Sequence, residues 1–343
     1  MKKLLNTLFI TQPNTYLALN GNSVVLWQED EQLARIPLLN LESIVTFSHT
    51  GASSALMGYC ARKDISIVFL SPNGKFRARL VGKSRGNVLL RKEQYRASDD
   101  LLVSCQIARN FIEGKVFNSK WMIERVIREH RSRVDVKRLR VISHDLSKMI
   151  KEIKECENLR VLRGFEGQAA FTYFQVFDQM ILQQKPDFFF NARSRRPPRD
   201  RVNCMMSFAY TLLANDVEAA LETVGLDAYV GFLHRDRPGR VSLALDVMEE
   251  LRGVIADRFV LSLINKRMMK KDDFFEKDNG AIWMSDTGRK KFLAAWQRRK
   301  QEELRHPYLK RKMTWGLVPY VQSLLLARYL RGDSNIYPPF LWK

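Results

Sequence analysis

At 343 residues, with 45% hydrophobic and 27% charged side chains, the chain is long enough for two domains with cores of their own and too apolar for bulk disorder. Its 57 Lys and Arg against 37 Asp and Glu leave a formal charge of +20, which repels other copies and attracts polyanions, so nucleic acid or an anionic surface is the natural partner class. No run of about eighteen apolar residues occurs, so no transmembrane helix is expected.

The N-terminus, Met1-Lys2-Lys3-Leu4-Leu5-Asn6, opens like a signal peptide but lacks a long apolar run and a small-residue cleavage site. Thr15–Leu19 and Ser23–Trp27 flank Asn20-Gly21-Asn22, a hairpin signal because Asn-Gly readily takes positive φ. Strand-type runs continue at Ala34–Leu38, Ser43–Phe47, Ile65–Phe69 and Phe76–Val81, interrupted by helical spacing over Ser53–Lys63. Gly82-Lys83-Ser84-Arg85-Gly86-Asn87 reads as a polar hinge. The first 90 residues carry ten bases and five acids, so most of the positive surplus lies downstream.

Beyond the hinge the period becomes helical. Ser98-Asp99-Asp100 is a helix start before Leu101–Arg131, and Val136–Glu157 follows. Further helices are expected over Gly164–Gln184, Asn203–Thr223, Leu243–Lys271, Lys290–Arg305 and Val318–Leu330. The fold class read from this pattern is α+β: a small N-terminal β domain over 1–85, a hinge over 86–97, and a larger all-α domain over 98–343. Cys60, Cys105, Cys156 and Cys204 form no CxxC pair and read as buried thiols in a reducing cytoplasm.

Candidate chemistry sits in the helical part. Glu166 shares a helix face with Ala170, Tyr173/Phe174, Phe177 and Ile181, and an inward carboxylate needs a partner or a cation. The plainer reading is a helix-start glutamate that complements the helix dipole. Asp246, Glu249 and Glu250 stand at i, i+3 and i+4, a spacing that suits Mg²⁺ or Mn²⁺ and equally suits a solvated acidic face. His234, one of five histidines, lies in the loop Gly231–Arg240 just ahead of that helix. Glu, His and a second carboxylate together would make a hard-ion site with positions open to phosphate and water.

Arg193, Arg195, Arg196, Arg199 and Arg201 crowd around Pro197-Pro198, which holds them extended, as a phosphate grip or as a solvated linker. A second basic run from Arg289 to Lys312 includes Trp296 and reads equally as an exposed helix face. The aromatics Phe188-Phe189-Phe190 and Tyr337–Trp342 read as core or tail docking rather than base stacking. No helix-turn-helix, zinc-finger or RNA-recognition pattern is present, so recognition by shape and backbone is expected.

Four segments in order resemble one family, the CRISPR-associated endonuclease/integrase of the spacer-acquisition complex. They are Leu162-Arg163-Gly164-Phe165-Glu166-Gly167, Ser194–Asp200, Gly231–Arg240 running into Ser242–Glu250, and Leu325–Asp333 with Tyr337–Lys343. The last is similar to the type I-C subtype. The resemblance covers nearly the whole chain and implies a β-sandwich-like N-terminal domain followed by a helical catalytic domain.

It also implies a cytoplasmic homodimer around a small ferredoxin-like partner protein, acting on double-stranded protospacer and repeat DNA with an accessory end-trimming nuclease. By motif position it implies Glu166, His234 and Glu249 as ligands of Mg²⁺ or Mn²⁺, with Asp246 beside them as a further ligand or as the group that orients His234. Arg193, Arg195, Arg196, Arg199 and Arg240 would hold DNA. The expected activity is attack of a DNA 3′-hydroxyl on a repeat phosphodiester. A structure-selective nuclease and a non-catalytic DNA-binding scaffold are the alternatives.

Overall fold

The computed structural model describes residues 6–48, 51–71, 76–80, 82 and 88–343. The signal-like first five residues, His49 and the hinge residues 83–87 lie outside the described residues. Two compact units result, one built from the chain up to the hinge with Arg289–Gln301, the other from 88–288 with Glu302–Lys343.

In the first unit β1 (Asn6–Ile10) lies parallel to β5 (Leu41–Thr46), which lies parallel to β6 (Ser66–Leu70), with β7 (Phe76–Leu80) antiparallel at the far edge. Between β1 and β5 the chain makes an antiparallel sheet of β2 (Thr15–Asn20), β3 (Ser23–Gln28) and β4 (Glu31–Pro37). Asn20 pairs with Ser23, and Gly21 opens the two-residue turn at φ +59°, a conformation free of Cβ strain only for glycine. Helix α1 (Ser54–Arg62), capped by the Ser53 hydroxyl, supplies the crossover that parallel β5 and β6 require. Both sheets and α1 share one core, in which Ile10, Leu17, Val24, Ile44, Leu56 and Ile67 are buried.

In the second unit Val88–Asp99, expected as part of the hinge, is helix α2, whose Gln94 is fully buried and anchors the backbone of Asp227 and Val230. Asp100 caps the 29-residue helix α3 (Leu101–Glu129) by accepting from the Leu102 and Val103 amides at 2.8 and 3.1 Å. Around α3 pack α4 (Val136–Glu155), α5 (Leu159–Phe174) and α7 (Ser242–Leu251); α6 (Arg201–Val224) packs on α7 and is ended by Gly225 at φ +88°. Helix α7 runs through a π-helical turn, Arg252–Asp257, into α8 (Arg258–Asn265). Such turns re-aim side chains and recur at functional sites. The unit is not purely helical, since β8 (Phe274–Glu276) and β9 (Ile282–Met284) form a short ribbon.

Helix α9 (Asp286–Gln301) carries the second basic run, and its residues from Arg289 on belong with the β unit. There Phe292 and Trp296 are buried, Lys300 reaches Glu42 at 3.6 Å and Arg289 lies 5.5 Å over the Phe47 ring. Arg289 and Lys300 are therefore packing, whereas Lys290, Lys291, Arg298, Arg305 and Lys310-Arg311-Lys312 stay exposed, as a basic face would. A second ribbon, β10 (Glu303–Arg305) with β11 (Lys312–Thr314), and helix α10 (Val318–Leu330) complete the helical unit.

Candidate metal centre

Three helices bring the acidic candidates together. Glu166 projects from α5 and Glu249 from α7, and both meet the ammonium of Lys115 on α3. Lys115 Nζ pairs with Glu166 Oε1 and lies 2.8 Å from Glu249 Oε2. Glu249 Oε1 takes the Arg252 guanidinium at 2.9 Å, from one turn further along its own helix. Burial alone would raise the Glu249 carboxyl, but Arg252 and Lys115 outweigh it and hold it at about 2, so this group is a carboxylate at any working pH. Glu166 keeps 30% of its side chain exposed, so the pair faces solvent on that side.

His234 is positioned from behind. Asp246, fully buried, accepts the Phe232 and Leu233 amides on Oδ2 at 2.6 and 2.8 Å. Its Oδ1 accepts the His234 amide at 3.1 Å and the His234 ring Nδ1 at 2.5 Å. A carboxylate can only accept, so Nδ1 carries a proton, and in the neutral ring Nε2 keeps its lone pair. Gly231 permits this close wrap: a Cβ there would stand 2.8 Å from Asp246 Oδ2 and 2.9 Å from the Ser242 backbone. With both oxygens engaged by four donors, Asp246 holds the loop and the imidazole. That arrangement fits the orienting alternative expected for Asp246.

Glu250, next to Glu249 in sequence, turns the other way into the core. It accepts from Gln322 Nε2 at 2.9 Å, from the Phe340 amide at 2.6 Å and from the Tyr337 hydroxyl. Asn118 bridges the Glu250 and Phe340 carbonyls at 2.7 Å each. The C-terminal aromatics are therefore tail docking, with Tyr337 and Phe340 buried against the helix that carries Glu249. Burial raises the Glu250 carboxyl to about 7 despite these donors.

The arginine loop divides. Arg195, Arg196 and Arg199 are exposed, and Arg199 also braces the Asn279 carbonyl at 2.9 Å. Arg193 turns inward, donating to the Ser194 carbonyl (2.6 Å), Asn203 Oδ1 (2.7 Å) and Ser207 Oγ (3.0 Å), with its guanidinium 5.3 Å from the Tyr210 ring. Most of that guanidinium is thus engaged by partners inside the protein. Tyr210 also lies 5.3 Å from the Arg252 guanidinium and donates to Asp257 at 2.6 Å, so a chain of contacts runs from the arginine loop to Glu249.

Near His234 the sequence reading passed over Arg163. Its Nε donates to the Leu233 carbonyl at 2.8 Å, and burial and then the neighbouring Arg235 lower its pKa, with Arg240 adding to the effect. Three guanidiniums thus gather beside the histidine loop, a positive rim suited to phosphate.

The chemistry of the donor set suits a hard divalent cation: two carboxylates and an imidazole nitrogen with its lone pair available. Glu249 Oε2 is buried and, apart from the Lys115 ion pair, has no hydrogen-bond partner. Among the described residues no three His, Cys, Asp or Glu side chains stand grouped as ligands, and the Lys115 ammonium pairs with both carboxylates.

The family model described as "CRISPR associated protein Cas1" matches residues 8–298. A protein of Chlorobaculum tepidum, "CRISPR-associated endonuclease Cas1 1", is 45% identical over 343 residues, covering 100% of both chains. Among solved structures, a "casposase bound to integration product" superposes with a TM-score of 0.84 at 23% identity, covering 98% of this chain and 93% of that one. A chain of a "Cas6-RT-Cas1--Cas2 complex" gives 0.81 at 21% identity, covering 100% of this chain and 36% of that one. At these identities the two structures speak to the fold alone.

Proposed function

The chain belongs to the Cas1 family of CRISPR-associated proteins, and from that premise we propose that Glu166, Glu249 and His234 are the centre at which it cuts and joins DNA. It is a DNA endonuclease/integrase of CRISPR adaptation, as its full-length relatives are named endonucleases of that family. The observation that carries the site is that Glu166 and Glu249, far apart in sequence, converge on one ammonium at the edge of the helical unit.

In this reading the two carboxylates and His234 Nε2 hold Mg²⁺ or Mn²⁺, which when bound supplies Lewis-acid stabilisation of charge developing on the scissile phosphate. Asp246 keeps the His234 proton on Nδ1 and so presents the Nε2 lone pair. Arg252 fixes the Glu249 rotamer through Oε1 and leaves Oε2 directed at the site. Arg163, Arg235 and Arg240 neutralise the incoming phosphate backbone, with Arg195, Arg196 and Arg199 extending the contact. A DNA 3′-hydroxyl is the attacking group in integration, and water in cleavage. Double-stranded DNA, a second copy of the chain and a small Cas2-type protein are the partners. A type I-C setting with an accessory end-trimming nuclease belongs to the same reading.

The test is strand transfer of a short duplex with 3′-hydroxyl ends into a repeat-bearing plasmid, in Mg²⁺, Mn²⁺ or EDTA, with and without the Cas2-type protein. Joined products that require a divalent ion and vanish in Glu166→Ala are expected. Cleavage without joining would reduce the protein to a nuclease. Joining by Glu166→Ala at the wild-type rate would remove Glu166 from the site.

A further inference from the structure

Lys115 is the group in this centre for which no role has been assigned. Its ammonium touches Glu166 Oε1 and Glu249 Oε2 at once, and its side chain is 12% exposed. Glu249 does not need it for neutralisation, because Arg252 already pairs with the other oxygen at 2.9 Å. Glu166 is part-exposed and can be solvated by water. A lysine that serves neither carboxylate exclusively, yet bridges both, sits where a shared cation sits.

Resting on the metal reading above, we infer that Lys115 is the built-in competitor of the metal ion: ammonium and divalent cation claim the same two oxygens, and loading requires the lysine to withdraw. The steric and electrostatic reasons agree. A Mg²⁺ ion takes its oxygen ligands at about 2.0–2.1 Å and tolerates little distortion. An ion bound to Glu166 Oε1 and Glu249 Oε2 would lie against a nitrogen already in contact with both. Lysine suits such a role because its charge is compact and its four-carbon stem is flexible, so it can leave without moving α3. Until then it cancels the repulsion between two carboxylates held on different helices. The consequence is a threshold: metal affinity is set by a competition inside the protein as well as by the ligands.

The experiment is a Mn²⁺ titration of the full-length chain at fixed pH, read by the electron paramagnetic resonance of free Mn²⁺, on wild type, Lys115→Met, Lys115→Arg and Glu166→Gln. Lys115→Met is expected to bind at least about tenfold tighter, since a unit charge within a few ångströms of the ion is removed. It should also melt lower than wild type in EDTA and gain more from added Mn²⁺. Lys115→Arg, which keeps the charge, should not tighten. Equal or weaker binding by Lys115→Met, with binding lost in Glu166→Gln, would overturn the inference and leave the metal reading standing. No Mn²⁺ binding by any of the four would overturn both.

Wild type supplies a check that does not depend on a variant folding. Acylation of Lys115 by an amine-reactive reagent, quantified by peptide mass spectrometry, should rise on saturation with Mn²⁺. Unchanged or reduced labelling would refute the withdrawal.

Discussion

Replacing Asp246 by asparagine tests whether this residue holds His234 or binds the ion. The carboxylate accepts two donors on each oxygen, the Phe232 and Leu233 amides on one, the His234 amide and ring nitrogen on the other. Asparagine replaces one oxygen with an NH₂ group, so either orientation of the amide sets a donor against two donors. Hydrogen bonds to a charged acceptor contribute roughly 1.5–3 kcal/mol each, so losing two costs about 3–6 kcal/mol. The less costly orientation turns NH₂ toward His234, whose Nδ1 can accept by moving its proton to Nε2. That tautomer has no lone pair to offer an ion.

Asp246→Asn should therefore unfold at markedly lower urea in EDTA, and bind Mn²⁺ about 10–100-fold more weakly, the usual effect of losing such a support. A direct ligand would show the second effect without the first. Unfolding within about 1 kcal/mol of wild type in EDTA would refute the positioning argument, whatever happened to metal binding.

Asp257 offers a pH test. Burial raises its carboxyl from 3.8 to about 6, so the folded protein keeps a proton that the unfolded chain releases. The sign follows: this contribution is fully present below about pH 3.8 and is lost as pH rises through about 6, a change of about 3 kcal/mol. Asp257→Asn should remove that slope, and urea unfolding of both proteins from pH 4.5 to 7 would show parallel curves if the idea is wrong. Gly114→Ala should destabilise by about 1–3 kcal/mol, because the new Cβ would stand 2.6 Å from Glu250 Cβ with no flexible end to yield; an unchanged melting temperature would contradict it. The arginines separate by assay. Arg195→Ala and Arg196→Ala should leave melting unchanged and reduce the salt dependence of DNA binding by about 0.9 per lost phosphate contact. Arg193→Ala should lower stability by about 2 kcal/mol or more through its buried partners, and normal melting would keep it in the DNA-contacting set.

Much of this protein is local physics and so is legible in its residues. Period-2 and period-3.6 patterns place β2 to β7 and α3, α4, α6 and α10, and Asp100 marks the start of α3 with a side chain that caps it. The positive charge and the segments around Glu166 and His234 point to DNA and a metal. Strand β1 and helix α2, which the sequence pattern does not mark, are both held by distant partners, β5 and the Asp227–Val230 backbone.

The division of labour within the acidic cluster could only come from tertiary structure. Asp246, Glu249 and Glu250 occupy three positions within one turn of a helix, yet one holds a loop, one faces the ion pair and one locks the C-terminal segment. Lys115 is one lysine among many along the chain, and nothing in its neighbourhood on α3 marks it. Spacing along a helix says which side chains leave the same side, whereas their partners come from α3, α5, the 232–234 loop and the tail. A carboxylate's function is decided by what it meets, and that depends on which distant segments the packed core brings to it.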